Sequence, residues 1–149
     1  MKVEKILGGK DDAVFSVHVD ATVSAALQCM NEKNIGALMV VDSQENIQGI
    51  VSERDIMRNC LRSQVNFKEL AIREVMTPRA KLLVARAEDD ISDLMGAMTQ
   101  NHIRHIPVVN DHDKVVGMVS IGDIIKAMLK GKDYQIRHLK DYIESKYPL

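Results

Sequence analysis

Shifting the sequence by 68 positions lays residues 15–61 over residues 83–129 without a gap. Identical residues coincide at Ser24/Ser92, Met30/Met98, Ile35/Ile103, Val40/Val108, Val41/Val109, Gly49/Gly117, Val51/Val119, Ser52/Ser120, Asp55/Asp123, Ile56/Ile124 and Leu61/Leu129, and most other pairs are conservative. Such spacing indicates two copies of one supersecondary unit, which restricts the fold to what that unit can do when doubled. In the first copy "VFSVHV" alternates like a short strand, and "DATVSAALQCMNEKN" follows with Asp20 or Thr22 suited to capping a helix. "ALMVVD" reads as a buried strand, "SQEN" as a turn and "IQGIVS" as another strand. Ser52 then opens "ERDIMRNCLRS", in which Ile56, Met57, Cys60 and Leu61 form a helical stripe. The second copy repeats the order with "DDISDLMGAMTQN", "HIPVVN", "DHDK", "VVGMVS" and "IGDIIKAML".

A β-α-β-β-α unit this small buries one sheet face under its two helices and leaves the other bare. Two copies packed sheet to sheet cover both faces, so the expected class is mixed α/β (α+β) with pseudo-two-fold symmetry. The chain divides into residues 1–66 (first repeat with an N-terminal segment), 67–82 (linker), 83–130 (second repeat) and 131–149 (helical tail). Pro78 sends the linker along an extended or turned path near Thr77.

With no Trp, two Phe and three Tyr in 149 residues, aliphatic side chains and nine Met must fill the core. Twenty basic and twenty-one acidic residues nearly cancel. Neither a basic groove nor stacking aromatics stand out, which argues against nucleic acid as the partner. No apolar run approaches the roughly 18 residues of a membrane span. "MKVEKILGGK" lacks the apolar core and cleavage site of a secretory signal, so a cytoplasmic location is expected. Cys29 and Cys60 read as small buried hydrophobes in a reducing compartment.

The junction Ser52-x-x-Asp55 recurs as Ser120-x-x-Asp123. A capping box explains one such pair: the serine accepts a backbone N–H and the acid complements the positive helix end. Recurrence, with Val before the Ser and Ile after the Asp both times, adds a second reading. Free N–H groups at a helix start favour phosphate, and an adjacent carboxylate suits neighbouring ribose hydroxyls. Together these describe a nucleotide.

"HIPVV", the two G-h-V-S-x-x-D junctions (h apolar) and "EVMTP" between the copies resemble the cystathionine-beta-synthase (CBS) domain pair, or Bateman module, over nearly the whole chain. "NIGALMVVD", "GIVSERD", "IRHIPVV" and "GMVSIGD" are similar to the small stand-alone bacterial members. The resemblance implies a non-enzymatic regulatory module, with up to two clefts for AMP, ADP, ATP, NAD(H) or S-adenosylmethionine. It implies energy or redox sensing, a homodimer and an effector protein as listener. By position it makes Asp55 and Asp123 ribose-binding carboxylates, with Ser52 and Ser120 as their hydroxyl companions. It places Thr77 against adenine or ribose, Arg104 and His105 against phosphates, and Arg54 as a second phosphate contact. Opposite Arg104 and His105 the first copy has Gly36 and Ala37, which leave room for a base or backbone contact. Unequal clefts are therefore expected.

His102-x-x-His105 lacks the further ligands of a metal centre, and no metal is expected. "GGK" at 8–10 lacks the Walker spacing, and no nucleophile has a visible base and orienter, so no catalysis is expected. In the tail, Tyr134, Leu139, Tyr142 and Ile143 form a modest stripe, suited to docking on the domain or to a partner. The competing functional reading is a ligand-independent dimeric scaffold in which Ser and Asp are only caps.

Overall fold

The computed structural model describes residues 1–9, 14–63, 66 and 68–130. The tail stripe lies outside them. In chain order the elements are α1 (Val3–Leu7), β1 (Ser16–His18), α2 (Val23–Lys33), β2 (Ala37–Val41), β3 (Ile47–Ser52), α3 (Glu53–Ser63), α4 (Ile72–Val75), β4 (Thr77–Pro78), a 3-10 turn (Arg79–Lys81), α5 (Ile91–Asn101), β5 (His105–Val109), β6 (Val115–Ser120) and α6 (Ile121–Leu129). The fold is mixed α+β, two related units packed sheet to sheet.

Local chemistry sets the element ends. The Thr22 hydroxyl accepts from Ala25 N at 3.1 Å and starts α2, which excludes Asp20 as the cap. The Asp90 carboxylate accepts from Ser92 N at 3.0 Å and starts α5. Helices α2 and α5 end on left-handed residues at equivalent positions, Asn34 (φ 52°) and His102 (φ 54°). The pairs β2–β3 and β5–β6 are antiparallel, each with a register shift at the same place, Val40/Val41 and Val108/Val109.

The repeats differ at the first strand. β1 runs parallel to β2 over three residues, giving the sheet order β1-β2-β3-β4. In the second repeat the equivalent strand shrinks to one residue: Ala85 donates to Pro107 O and accepts from Val109 N, both at 2.9 Å. In the first repeat Met39 N also donates to Phe15 O at 3.1 Å, extending the ladder. The equivalent residue of the second repeat is Pro107, which has no N–H to donate, so the ladder stops at Ala85.

Each repeat has its own helix-side core. Val23, Ala26, Met30, Leu38, Val40, Val51 and Ile56 pack in the first, and Ile91, Leu94, Met98, Ile106, Val108, Val119 and Ile124 in the second. Ala37 and Met39 on β2, and Pro107 and Val109 on β5, are also buried but belong to neither cluster. They alternate with the helix-facing residues and fill the space between the sheets.

The N-terminal segment crosses over. Val3 and Ile6 of α1 are buried in the core of the second repeat, while Ile72 and Val75 of α4 are buried in that of the first. Val3 N donates to Asp89 O at 2.9 Å and Ile72 N to Ala21 O at 3.0 Å, equivalent carbonyls of the two repeats. Each repeat is thus completed by the segment that precedes the other. The stripe of α3 also splits: Ile56 is buried and Cys60 half-buried, whereas Met57 and Leu61 face outward. Cys29 is half-buried against the same core. Among the described residues no helix is long and apolar enough to cross a membrane.

Candidate functional site

Both Ser-x-x-Asp junctions fold as capping boxes. At the first, Ser52 N and Ser52 Oγ donate to Asp55 Oδ2 at 3.1 and 2.9 Å, and Asp55 N donates to Ser52 Oγ at 3.1 Å. At the second, the same bonds to Asp123 Oδ2 measure 2.8 and 2.8 Å, with Asp123 N to Ser120 Oγ at 3.1 Å. In each case both donors converge on one oxygen. The box therefore uses part of the roughly four lone-pair sites of a carboxylate, and capping and ligand binding are compatible roles.

The glycine opening each junction answers to the crossover segments. A Cβ on Gly49 would run into the Thr77 carbonyl oxygen and lie 3.2 Å from Met76 Sδ. A Cβ on Gly117 would run into the Leu7 side chain instead. The motif glycine is a matter of close approach here; both residues lie outside the left-handed region.

A cleft of about 550 Å³ lies between the repeats. Ser120 and Asp123 line it, together with His105, whose Cα pairs with that of Ser120 across β5–β6. Gly36 and Ala37 line it from the first repeat. The apolar walls come from Leu7, Val14, Phe15, Ile35, Val116 and Met118. Lys33 supplies an ammonium group. A carboxylate, a hydroxyl and an imidazole thus share a cleft with an aromatic ring and aliphatic walls, which suits a ligand with an apolar base and polar substituents.

Ser52, Arg54, Asp55, Thr77 and Arg104 are not among the residues lining this cleft. Arg104 is exposed, and only its carbonyl is engaged nearby, accepting from Ile121 N at 2.9 Å. Successive residues entering β5 turn to opposite sides, so His105 enters the cleft and Arg104 does not. Arg54 is exposed on the first turn of α3. Thr77 is half-buried and pairs with Ile50, two residues before Ser52 along β3. Beside Gly36 lies Glu53: a Cβ on Gly36 would stand 3.8 Å from its Oε2. The first junction therefore carries two carboxylates, whereas Ile121 and Asp123 occupy the same positions at the second.

Sequence reasoning missed Phe15, Lys33 and Leu7. Leu7 had no signal, because its place depends on the crossover of α1. Lys33 could have been noticed as a basic residue three positions before Gly36, where the aligned residue is Asn101. Among the described residues no group of three or more His, Cys, Asp or Glu side chains could hold a metal ion. His102 is exposed at the end of α5.

Comparison with known proteins places this geometry in a family. The family profile for the CBS domain matches residues 10–62 and 72–130. The chain is 36% identical over 130 residues to the CBS domain-containing protein CBSX3, mitochondrial, of Arabidopsis thaliana; the match covers 86% of this chain and 63% of that protein. It therefore spans less than two thirds of the plant relative. A CBS-domain protein of Burkholderia ambifaria is 34% identical with a TM-score of 0.82, covering 91% of this chain and 99% of the other. CBSX2 in complex with AMP is 26% identical with a TM-score of 0.73, covering 88% and 98%. With both repeats matched and the tandem architecture in common, the chain belongs to the CBS-domain family as a domain pair.

Proposed function

We propose that this protein is a non-enzymatic regulatory module that binds an adenine nucleotide in the cleft between its repeats and signals the bound state to a partner protein. One observation carries the reading: the Ser120–Asp123 junction opens, beside His105, onto a cleft of about 550 Å³ whose other wall belongs to the first repeat. In this reading Asp123 accepts the ribose hydroxyls, Ser120 and His105 face the phosphate end, and the base lies among the apolar walls with Gly36 and Ala37 giving it room. AMP, ADP, ATP and NAD(H) have these parts, and S-adenosylmethionine shares the adenosine. The AMP held by CBSX2 in the same fold supports the adenosine class.

The second junction is the main site. Ser52, Asp55, Thr77 and Arg54 form the other half-site, in which Glu53 beside Gly36 disfavours phosphate by like charge. A ligand bridging the repeats shifts the module only by its differential affinity for two arrangements of them. The module works as a homodimer in the cytoplasm, a reading supported by apolar rows on α3 and α6, and the listener is an effector protein. The ligand-independent scaffold has one observation in its favour, since the paired capping boxes need no ligand to explain Ser and Asp.

Calorimetric titration with AMP, ADP, ATP, NAD+, NADH and S-adenosylmethionine, with GMP as control, decides between the two. Saturable binding of an adenosine ligand is expected, weakened by about 1–3 kcal/mol in Asp123→Ala, where ribose hydroxyls lose their acceptor. Asp55→Ala should weaken it less. Equal stability losses with and without nucleotide, and no binding heat, would establish the scaffold.

A further inference from the structure

Among the described residues Lys33 is the one lysine lining the cleft, and it comes from the repeat opposite Asp123. It is the last residue of α2, and the left-handed turn at Asn34 (φ 52°) folds the following residues through Gly36 and Ala37 into the cleft wall. Its ammonium stands 5.1 Å from the centroid of the Phe15 ring, itself part of that wall. Among the described residues it forms no ion pair with a carboxylate. A lysine in the last turn of a helix complements the helix dipole, and that alone would account for a lysine at this position. It does not account for an ammonium poised over a ring of the cleft wall. The equivalent residue of the second repeat behaves differently: Asn101 bonds back to its own helix, Nδ2 to Ala97 O at 2.8 Å.

We propose that Lys33 is the charge-reading residue of the cleft, supplied by the first repeat to a phosphate group of a ligand whose ribose is held by Asp123 in the second. The inference rests on the nucleotide reading above and adds the group that distinguishes phosphorylated from unphosphorylated adenosine ligands. Ring-face attraction for an exposed ammonium is weak compared with charge-assisted bonds to phosphate oxygens, so an arriving phosphate draws Lys33 off Phe15. Lys33 thereby replaces the basic side chain that Arg104, turned outward, does not contribute. With His105 on the other repeat, the phosphate is then gripped from both sides. Loss of phosphate from the ligand would release the tie between the repeats, coupling phosphorylation state to their arrangement.

The test uses adenosine and AMP as probes on the full chain, with Lys33→Met, which keeps an apolar stem without the charge, and Lys33→Arg. The parent should prefer AMP to adenosine. Lys33→Met should bind AMP about tenfold more weakly while adenosine stays within about twofold, and its AMP affinity should depend less on salt. Lys33→Arg should keep the preference. An unchanged AMP-to-adenosine ratio in Lys33→Met overturns the proposal, and a lowered melting temperature with that unchanged ratio returns Lys33 to the helix-end role. Failure of both probes on the parent overturns the Lys33 proposal, and failure of ADP, ATP, NAD(H) and S-adenosylmethionine as well removes the nucleotide reading itself.

Discussion

At the scale of single residues, the shared motif performs several jobs that its letters do not separate. Ser and Asp cap a helix in both repeats with nearly the same bond lengths, yet Ser120 and Asp123 line the large cleft and Ser52 and Asp55 do not. The glycines are alike in sequence and unlike in what confines them. Gly49 is pressed by backbone, the Thr77 carbonyl of β4, whereas Gly117 is pressed by the end of the Leu7 side chain. Leu7 can change rotamer and a paired strand cannot. Gly49→Ala should therefore cost about 1–3 kcal/mol and Gly117→Ala less, read as the difference in urea midpoints. Equal losses would mean that β4 yields as easily as a leucine methyl.

Among the elements, the connection between repeats matters most. It is a helix anchored by the buried Ile72 and Val75, a short strand and a turn, and it is tied at its end to the second repeat. Arg79 Nη2 and Nε donate to Asp113 Oδ1 and Oδ2 at 2.6 and 3.2 Å, joining the turn after β4 to the β5–β6 hairpin. The Arg79 hydrogen bond, outweighing slight desolvation, holds the Asp113 carboxyl below its ordinary 3.8. A lowered carboxyl pKa stabilises the fold above the unfolded value, and that contribution is lost as pH falls through the folded value. Arg79→Met should thus melt earlier than the parent at pH 7, by the equivalent of about 0.2–1 kcal/mol for an exposed pair. The gap should shrink in high salt and close as the pH drops below 3.8. A gap independent of pH would assign the effect of Arg79 to packing of its stem.

For the whole molecule, the crossover of α1 and α4 makes the two repeats one body, since each core contains a segment from outside its own repeat. The exposed apolar residues of α3 have exposed counterparts at matching positions of α6, Met57 (58% exposed) with Ile125 (48%) and Leu61 (78%) with Leu129 (39%). Related rows on α3 and α6 give a surface with the molecule's own pseudo-two-fold symmetry, which suits a two-fold pairing of chains. Sedimentation should find a dimer for the parent and a monomer for Met57→Lys/Ile125→Lys; a dimer in both would exclude these rows from the interface. How much of this was legible depended on distance along the chain. Helices α3 and α6 and strands β3 and β6 begin and end where periodicity and the Ser-Asp caps put them, because those signals act over three or four residues. The shortened strand at Ala85 needed Pro107 to be seen in register with Met39, whose N–H bonds Phe15 O, and the split stripe of α3 needed the position of its neighbours. The sequence by itself determined the duplication, the class and the two junctions. Only the tertiary structure decided that α1 belongs to the second core, that Arg104 turns away, and that Lys33 shares a cleft with Asp123, because each depends on which surfaces meet across the repeats.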